Sequence, residues 1–291
     1  MKYGLYLPNF GAFADARLLA DMACDAERAG WDGFFLWDHI ARPWLTEMVD
    51  TCVALTAIAL STNTIRFGPL VTPLPRRRPW KVARETVSLD RLSAGRLVLG
   101  VGTGGFGGLV KEWENLGEER DLRARAEMLD EGLDVLTGLW SGKAFAYEGK
   151  HYQVKDTEFI PTPVQSPRIP IWVGGNWPHK APFRRAARWD GAMPQVDLKQ
   201  GDEIAQLRQA VQYTREQRKT DAAYEVVYST SLLPGNDPAR LTERIAQYTE
   251  IGITWLLEQL YPEHFGGEWQ GDWPVGAMRQ RILQGPPVPS R

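Results

Sequence analysis

Asp38-His39 is the pair of side chains in this sequence best suited to moving a proton. Histidine exchanges a proton near neutral pH, and a carboxylate close by favours its charged form. The pair directly follows the apolar run Gly33-Phe34-Phe35-Leu36-Trp37, so it stands where a strand ends. Ligands bind at such carboxyl ends in parallel α/β folds, which makes acid–base work one reading. The other is an ordinary loop start, with Asp38 capping nearby backbone. Trp44 follows shortly after and either stacks on a flat ring or packs locally. Gly174-Gly175-Asn176 ends another apolar run. Two glycines let backbone N–H groups approach an anion such as a phosphate, and Arg184 and Arg185 follow on a helix. A tight turn with solvated arginines is the alternative. Arg76-Arg77-Arg78 reads as a solvated charge run or as a docking point for an acidic cofactor tail. No His/Cys/Asp/Glu spacing suggests a metal site, and no G-x-S-x-G marks a hydrolase elbow.

These residues need a scaffold that brings strand ends together. Arg66 to Gly105 contains one complete strand–helix–strand unit, with strand ends at Val71-Thr72-Pro73 and Gly102-Thr103-Gly104 and a helix opening at Pro79. Its strands are apolar without alternation, as strands buried on both faces are. The same βα cycle recurs along the chain. Strand one ends at Asn9, strand two at Asp38, and strand five is Ile171 to Gly175. Strands six, seven and eight start near Gly191, Glu225 and Thr254. Glycines at Gly30, Gly95, Gly191 and Gly252 punctuate the helix-to-strand junctions, where a left-handed residue is wanted. Eight strands alternating with helices predict a TIM (β/α)8 barrel, with an insertion between strands four and five carrying a small hairpin at residues 145–154. A doubly wound sheet is the runner-up. No G-x-G-x-x-G opens a helix in the first unit, which argues against a dinucleotide fold.

One such barrel uses roughly 250 residues, so a single domain over residues 1–284 with a frayed Pro-rich tail at 285–291 accounts for all 291. A formal charge of −2 argues against nucleic-acid or acidic-membrane partners. No apolar run reaches the roughly 20 residues of a membrane span. The chain starts in a strand pattern, and Cys24 and Cys52 read as inert buried thiols, so the cytoplasm is the expected compartment. The long stretch from Gly105 to Asp121 reads as a lid or binding loop.

Several motifs, in order, carry a family resemblance. Ala29-Gly30-Trp31-Asp32-Gly33-Phe34 with Asp38-His39, Arg78 to Glu85, Leu89 to Leu97, Arg123 to Trp140, Glu148 to Tyr152 and Pro170 to Gly175 are similar to the bacterial luciferase-like flavin-dependent oxidoreductases. The resemblance covers about residues 1–194. It implies a TIM barrel, commonly a homodimer, that binds reduced FMN or the deazaflavin coenzyme F420 at the strand ends. His39 and Asp38 would then be the catalytic residues. Asn9, Trp44, Val71, Thr72, Gly102, Thr103, Gly174, Gly175 and Asn176 would line the coenzyme site. The implied activity is monooxygenation of a small organic substrate, with a separate flavin or F420 reductase as partner. F420-dependent hydride transfer is the alternative, and a flavin-binding barrel without catalysis is a third. The deazaflavin branch often has a glutamate directly after the strand-four Gly-x-Gly, where this chain has Gly105.

Overall fold

The computed structural model describes residues 1–42, 44, 46–105, 110–233 and 238–287, so part of the expected lid (106–109) and of the expected tail (288–291) lies outside the described residues. Eight strand positions alternate with helices and close into a parallel barrel. The strands are β1 (Lys2–Leu7), β2 (Gly33–Leu36), β3 (Arg66–Pro69) with β4 (Thr72–Pro73), β5 (Leu99–Gly102), β8 (Ile171–Asn176), β9 (Gly191–Gln195), β10 (Glu225–Thr230) and β11 (Trp255–Gln259). β6 (Phe145–Glu148) and β7 (Gln153–Thr157) form a separate antiparallel hairpin between β5 and β8. The ring order is β3-β2-β1-β11-β10-β9-β8-β5-β4. β3 and β4 are two halves of one strand position, so the order ends where it starts. The uninterrupted apolar run from Phe67 to Val71 reads as one strand; the structure breaks it between Pro69 and Thr72, and the Leu70–Val71 peptide is cis. The break delivers Val71 to the barrel's upper opening.

Alternation along each strand sends every second side chain inward. Phe35, Trp172 and Trp255 fill the barrel axis with ring centroids 5.5–5.7 Å apart. Glycines make room for these rings. A Cβ on Gly33 would lie 2.5 Å from Phe35, and one on Gly191 would lie 2.6 Å from Trp172. Gly191 therefore serves this packing and not a helix end, whereas Gly30, Gly95 and Gly252 do adopt positive φ (86°, 86° and 94°).

The outward-facing residues pack under helices α1 (Ala16–Arg28), α2 (Thr51–Ser61), α3 (Pro79–Leu92), α5 (Leu122–Trp140), α6 (Lys180–Ala186), α7 (Glu203–Gln217), α8 (Pro238–Ile251) and α9 (Val275–Leu283). Asp15, Asp50, Asp121 and Asp202 cap α1, α2, α5 and α7 through their side chains. A further helix, α4 (Val110–Asn115), lies in the stretch read as an irregular loop. Its six residues are too few for periodicity to reveal. Among the described residues no helix is long and apolar enough to cross a membrane.

α9 closes the barrel's first-to-last seam through a buried ion pair. Arg281 meets Glu258 at 3.1 Å, and the Leu232 N–H donates to the same carboxylate at 3.1 Å. Burial pushes Glu258 up to about 7, although Arg281 and the Leu232 N–H pull it down. A folded-state value above the unfolded one of about 4.3 means the folded chain holds the extra proton. That stabilisation is full below the unfolded value and is lost as pH rises through about 7. In urea titrations the stability advantage of wild type over Glu258→Gln should therefore shrink between roughly pH 5 and 7.5; a constant difference would contradict the buried, proton-holding Glu258. Above about pH 7, where the pair is charged, Glu258→Ala leaves buried Arg281 with the Gly285 carbonyl but no counter-charge and should cost about 3–5 kcal/mol.

Candidate functional site

A cavity of about 240 Å³ opens at the carboxyl ends of the strands. Its walls differ in chemistry. On the β5 and β8 side they are backbone and small side chains: Gly102, Thr103, Gly104, Gly174, Gly175 and Asn176. Opposite stand Tyr6, Trp37, Asp38 and His39, from β1 and the end of β2. Val71 lies between, where a Cβ on Gly102 would come within 2.9 Å of one of its methyls and a Cβ on Gly174 within 3.1 Å of the other. The bare glycines keep this floor flat.

His39 is held from two directions. The side chain of Asn9, fully buried, donates to His39 O and to Val49 O, both at 2.8 Å, and accepts from the His39 N–H at 3.2 Å. Its ring is held by Glu112 of α4: Oε2 lies 2.9 Å from His39 Nδ1. Oε1 accepts from Ile40 N at 2.8 Å and from Arg76 Nη1 at 2.6 Å. Burial raises the proton affinity of Glu112, but the hydrogen bonds from His39 and Ile40 and the charge of Arg76 outweigh it. Its carboxyl is held below the usual range, so Glu112 is an anion at neutral pH. A carboxylate on Nδ1 fixes that nitrogen as the N–H and turns Nε2 into the site's acceptor, or its donor once the ring is protonated.

Arg76 ties this arrangement together. Its guanidinium also bonds Asp38 O, and Oδ1 of Asp38 at 3.2 Å. Thr72 Oγ1 donates to Asp38 Oδ2 at 2.7 Å, and Arg77 reaches the same oxygen at 3.4 Å while binding Glu85 at 2.7 Å. The Arg76 side chain is only 3% exposed, so the arginine run is no solvated surface feature at its first two positions. Buried carboxylates 38 residues before and 36 residues after Arg76 hold it inside.

Of the residues singled out from sequence, the structure brings His39, Asp38, Val71, Gly102, Thr103, Gly174, Gly175 and Asn176 to one cavity. Asn9 and Thr72 stand behind it, bonded to His39 and Asp38. Trp44 lines a separate depression with Trp269 and Trp273, under the Arg42 guanidinium at 4.1 Å. Asp38 is saturated by Thr72 and two arginines; the carboxylate on the His39 ring is Glu112. Arg185 faces away from Gly174-Gly175 and is bound to Asp130 at 2.7 and 2.8 Å. Sequence reasoning missed Trp37 and Glu112. Trp37 had a signal, because it follows Phe35 by two and so shares its inward face. Glu112 had only the spacing of Val110 and Trp113 on a short segment.

The end of β5 is anchored to α4 and α5. Gly104 turns with φ +79° against the Trp113 ring, and Arg125, stacked at 4.6 Å on that ring, donates to Thr103 O at 3.3 Å and Gly104 O at 3.1 Å. Replacing Arg76 by Met should destabilise the fold by about 3–5 kcal/mol, because buried Glu112 loses its arginine and buried Asp38 keeps only Arg77. Guanidinium denaturation measures this, and a loss below about 1 kcal/mol would mean the bridge is solvated in solution.

The model of the luciferase-like monooxygenase family matches residues 1–279. An uncharacterized protein of Mycobacterium tuberculosis is 30% identical over 233 residues, covering 74% of this chain and 77% of the relative. The F420-dependent glucose-6-phosphate dehydrogenase of Microbacterium testaceum is 34% identical over 167 residues, 55% of this chain and 47% of that protein. Among solved structures, the coenzyme F420 dependent tetrahydromethanopterin reductase of Methanopyrus kandleri superposes with a TM-score of 0.75 at 15% identity, covering 97% and 96% of the two chains. The oxygenating constituent of 3,6-diketocamphane monooxygenase from Pseudomonas putida, in complex with FMN, gives 0.68 at 18% identity over 89% and 91%. At these identities the structural likeness is one of fold.

Proposed function

The chain belongs to the luciferase-like monooxygenase family and is an oxidoreductase, and on that premise we propose that it transfers a hydride between coenzyme F420 and a small organic substrate. The observation that carries this reading is the Glu112–His39 pair at the edge of a glycine-walled cavity. The chain lacks a glutamate directly after Gly102-Thr103-Gly104, yet α4 brings the carboxylate of Glu112 to the histidine. The sequence likeness to an F420-dependent dehydrogenase supports the same coenzyme.

The walls fit a flat heterocycle. A Cβ at Gly102 or Gly174 would crowd the Val71 methyls and fill the floor on which such a ring would rest. Val71, Gly102, Thr103, Gly174, Gly175 and Asn176 would hold it. The coenzyme supplies the hydride chemistry; the chain positions, excludes water and handles the proton. His39, with Nδ1 committed to Glu112, holds a proton at Nε2 for a substrate oxygen that gains one, or accepts it in the reverse direction. Asp38 and Arg76 fix the loop that carries His39. A second reading, FMN-dependent monooxygenation, is supported by the family model and uses the same walls. For monooxygenation, and for F420 acting as hydride donor, a separate reductase would renew the reduced coenzyme; where the substrate gives its hydride to F420, a second enzyme would have to reoxidise it. We also propose a homodimer. α2 is apolar on every side, and its Val53 and Leu60 are 57% and 68% exposed.

His39→Ala should lower kcat by about 100-fold or more while coenzyme affinity, read by absorbance titration, stays within a few fold. Glu112→Gln should cause a smaller loss and move the pH profile of kcat. Unchanged turnover in both variants would remove the pair from the mechanism. Titration with F420 and with FMN, together with an oxygen electrode, separates the two readings: F420 binding without oxygen uptake is expected, and oxygen consumption on FMN overturns it.

A further inference from the structure

We propose that the substrate is a neutral, flat, ring-containing molecule bearing a single hydroxyl or carbonyl oxygen, bound against Trp37, and that phosphorylated sugars are excluded. This rests on the preceding assignment of the glycine wall to the coenzyme, and it assigns the opposite wall.

Trp37 is the centre of that wall. Its ring centroid lies 5.9 Å from Tyr6, 5.8 Å from Phe10, 5.3 Å from Tyr261 and 5.6 Å from the His39 ring. Trp269, from the segment that follows β11, stacks on it at 5.7 Å with an interplanar angle of 28°. Trp269 in turn touches Phe10, Tyr261 and Trp273. Of these rings Tyr6 and Trp37 line the cavity, the others backing them, and such aromatic surface prefers a ring over sugar hydroxyls.

Charge decides the exclusion. No lysine or arginine is among the described residues that line the cavity. Of the guanidinium groups close behind it, Arg76 is committed to Asp38 and Glu112 and Arg77 to Asp38 and Glu85, while Arg42, with Nε and Nη1 buried and without a partner among the described residues, stacks on Phe10 and Trp44 outside the cavity lining. Arg125 serves the Thr103 and Gly104 carbonyls. A phosphate dianion in this space would be buried without a counter-charge, which folded proteins avoid. His39 is the ionisable ring at the wall, and one imidazole nitrogen suits one substrate oxygen. The name borne by the Microbacterium testaceum relative therefore does not carry its substrate to this chain.

The test is calorimetric binding to coenzyme-loaded protein and to coenzyme-free protein, with 2-naphthol and glucose 6-phosphate as probes. 2-Naphthol should bind the loaded protein at least about tenfold more tightly than glucose 6-phosphate. Trp37→Ala should weaken 2-naphthol by about tenfold and Trp37→Phe by less than about threefold, with circular dichroism checking that each variant is folded. Tighter binding of glucose 6-phosphate, no binding of 2-naphthol, or binding of 2-naphthol indifferent to both variants would each overturn the proposal. Coenzyme titration of the same samples is read separately: normal coenzyme affinity with a failed probe result sinks the substrate class alone. Failure of the coenzyme to bind sinks the assignment of the glycine wall and this inference with it.

Discussion

One buried guanidinium holds the chemistry of this barrel in place. Arg76 reaches two carboxylates that come from opposite directions along the chain, Asp38 at the end of β2 and Glu112 on α4. Buried charge is costly unless it is paired, and a buried pair adds little net stability over a packed apolar group. Its value here is specificity. With Arg76 between them, the loop after β2 and the helix after β5 have one mutual arrangement, and that arrangement puts Glu112 on His39 Nδ1.

The barrel supplies the rest by division of labour along its axis. Below, Phe35, Trp172 and Trp255 pack solidly, with glycines opposite them where a methyl would not fit. Above, β3 and β4 interrupt one strand position and set Val71 between Gly102 and Gly174. The same residue type therefore serves two ends. Gly33 and Gly191 admit side chains, while Gly102 and Gly174 keep a surface bare. The two cavity walls, one of glycine backbone and one of aromatic rings, meet at that floor with His39 at their edge.

Much of this was legible in the sequence, because continuous apolar runs and capped helices are local signals. α3 opens at Pro79, as the position of that proline suggested. The convergence of Asp38, Val71, Gly102 and Gly174 followed from barrel topology alone. What was illegible depends on contacts between distant residues. Three consecutive arginines look solvated until Glu112 and Asp38 are seen beside them. Val71 looks like its neighbours until the strand breaks. Strand alternation turns Trp37 into the cavity, whereas nothing local to Trp44 shows that its loop carries it to another depression. α4 is too short to announce itself, and it holds the carboxylate that matters.

The central claim is that the glycine-walled floor receives the flat coenzyme ring beside His39. A crystal structure of the protein with reduced coenzyme F420 tests it most directly. The account places the ring against Val71, between Gly102 and Gly174, with the His39–Glu112 contact intact. A ring found in the depression beside Trp44 and Trp273, or His39 turned away from both ring and Glu112, would contradict it.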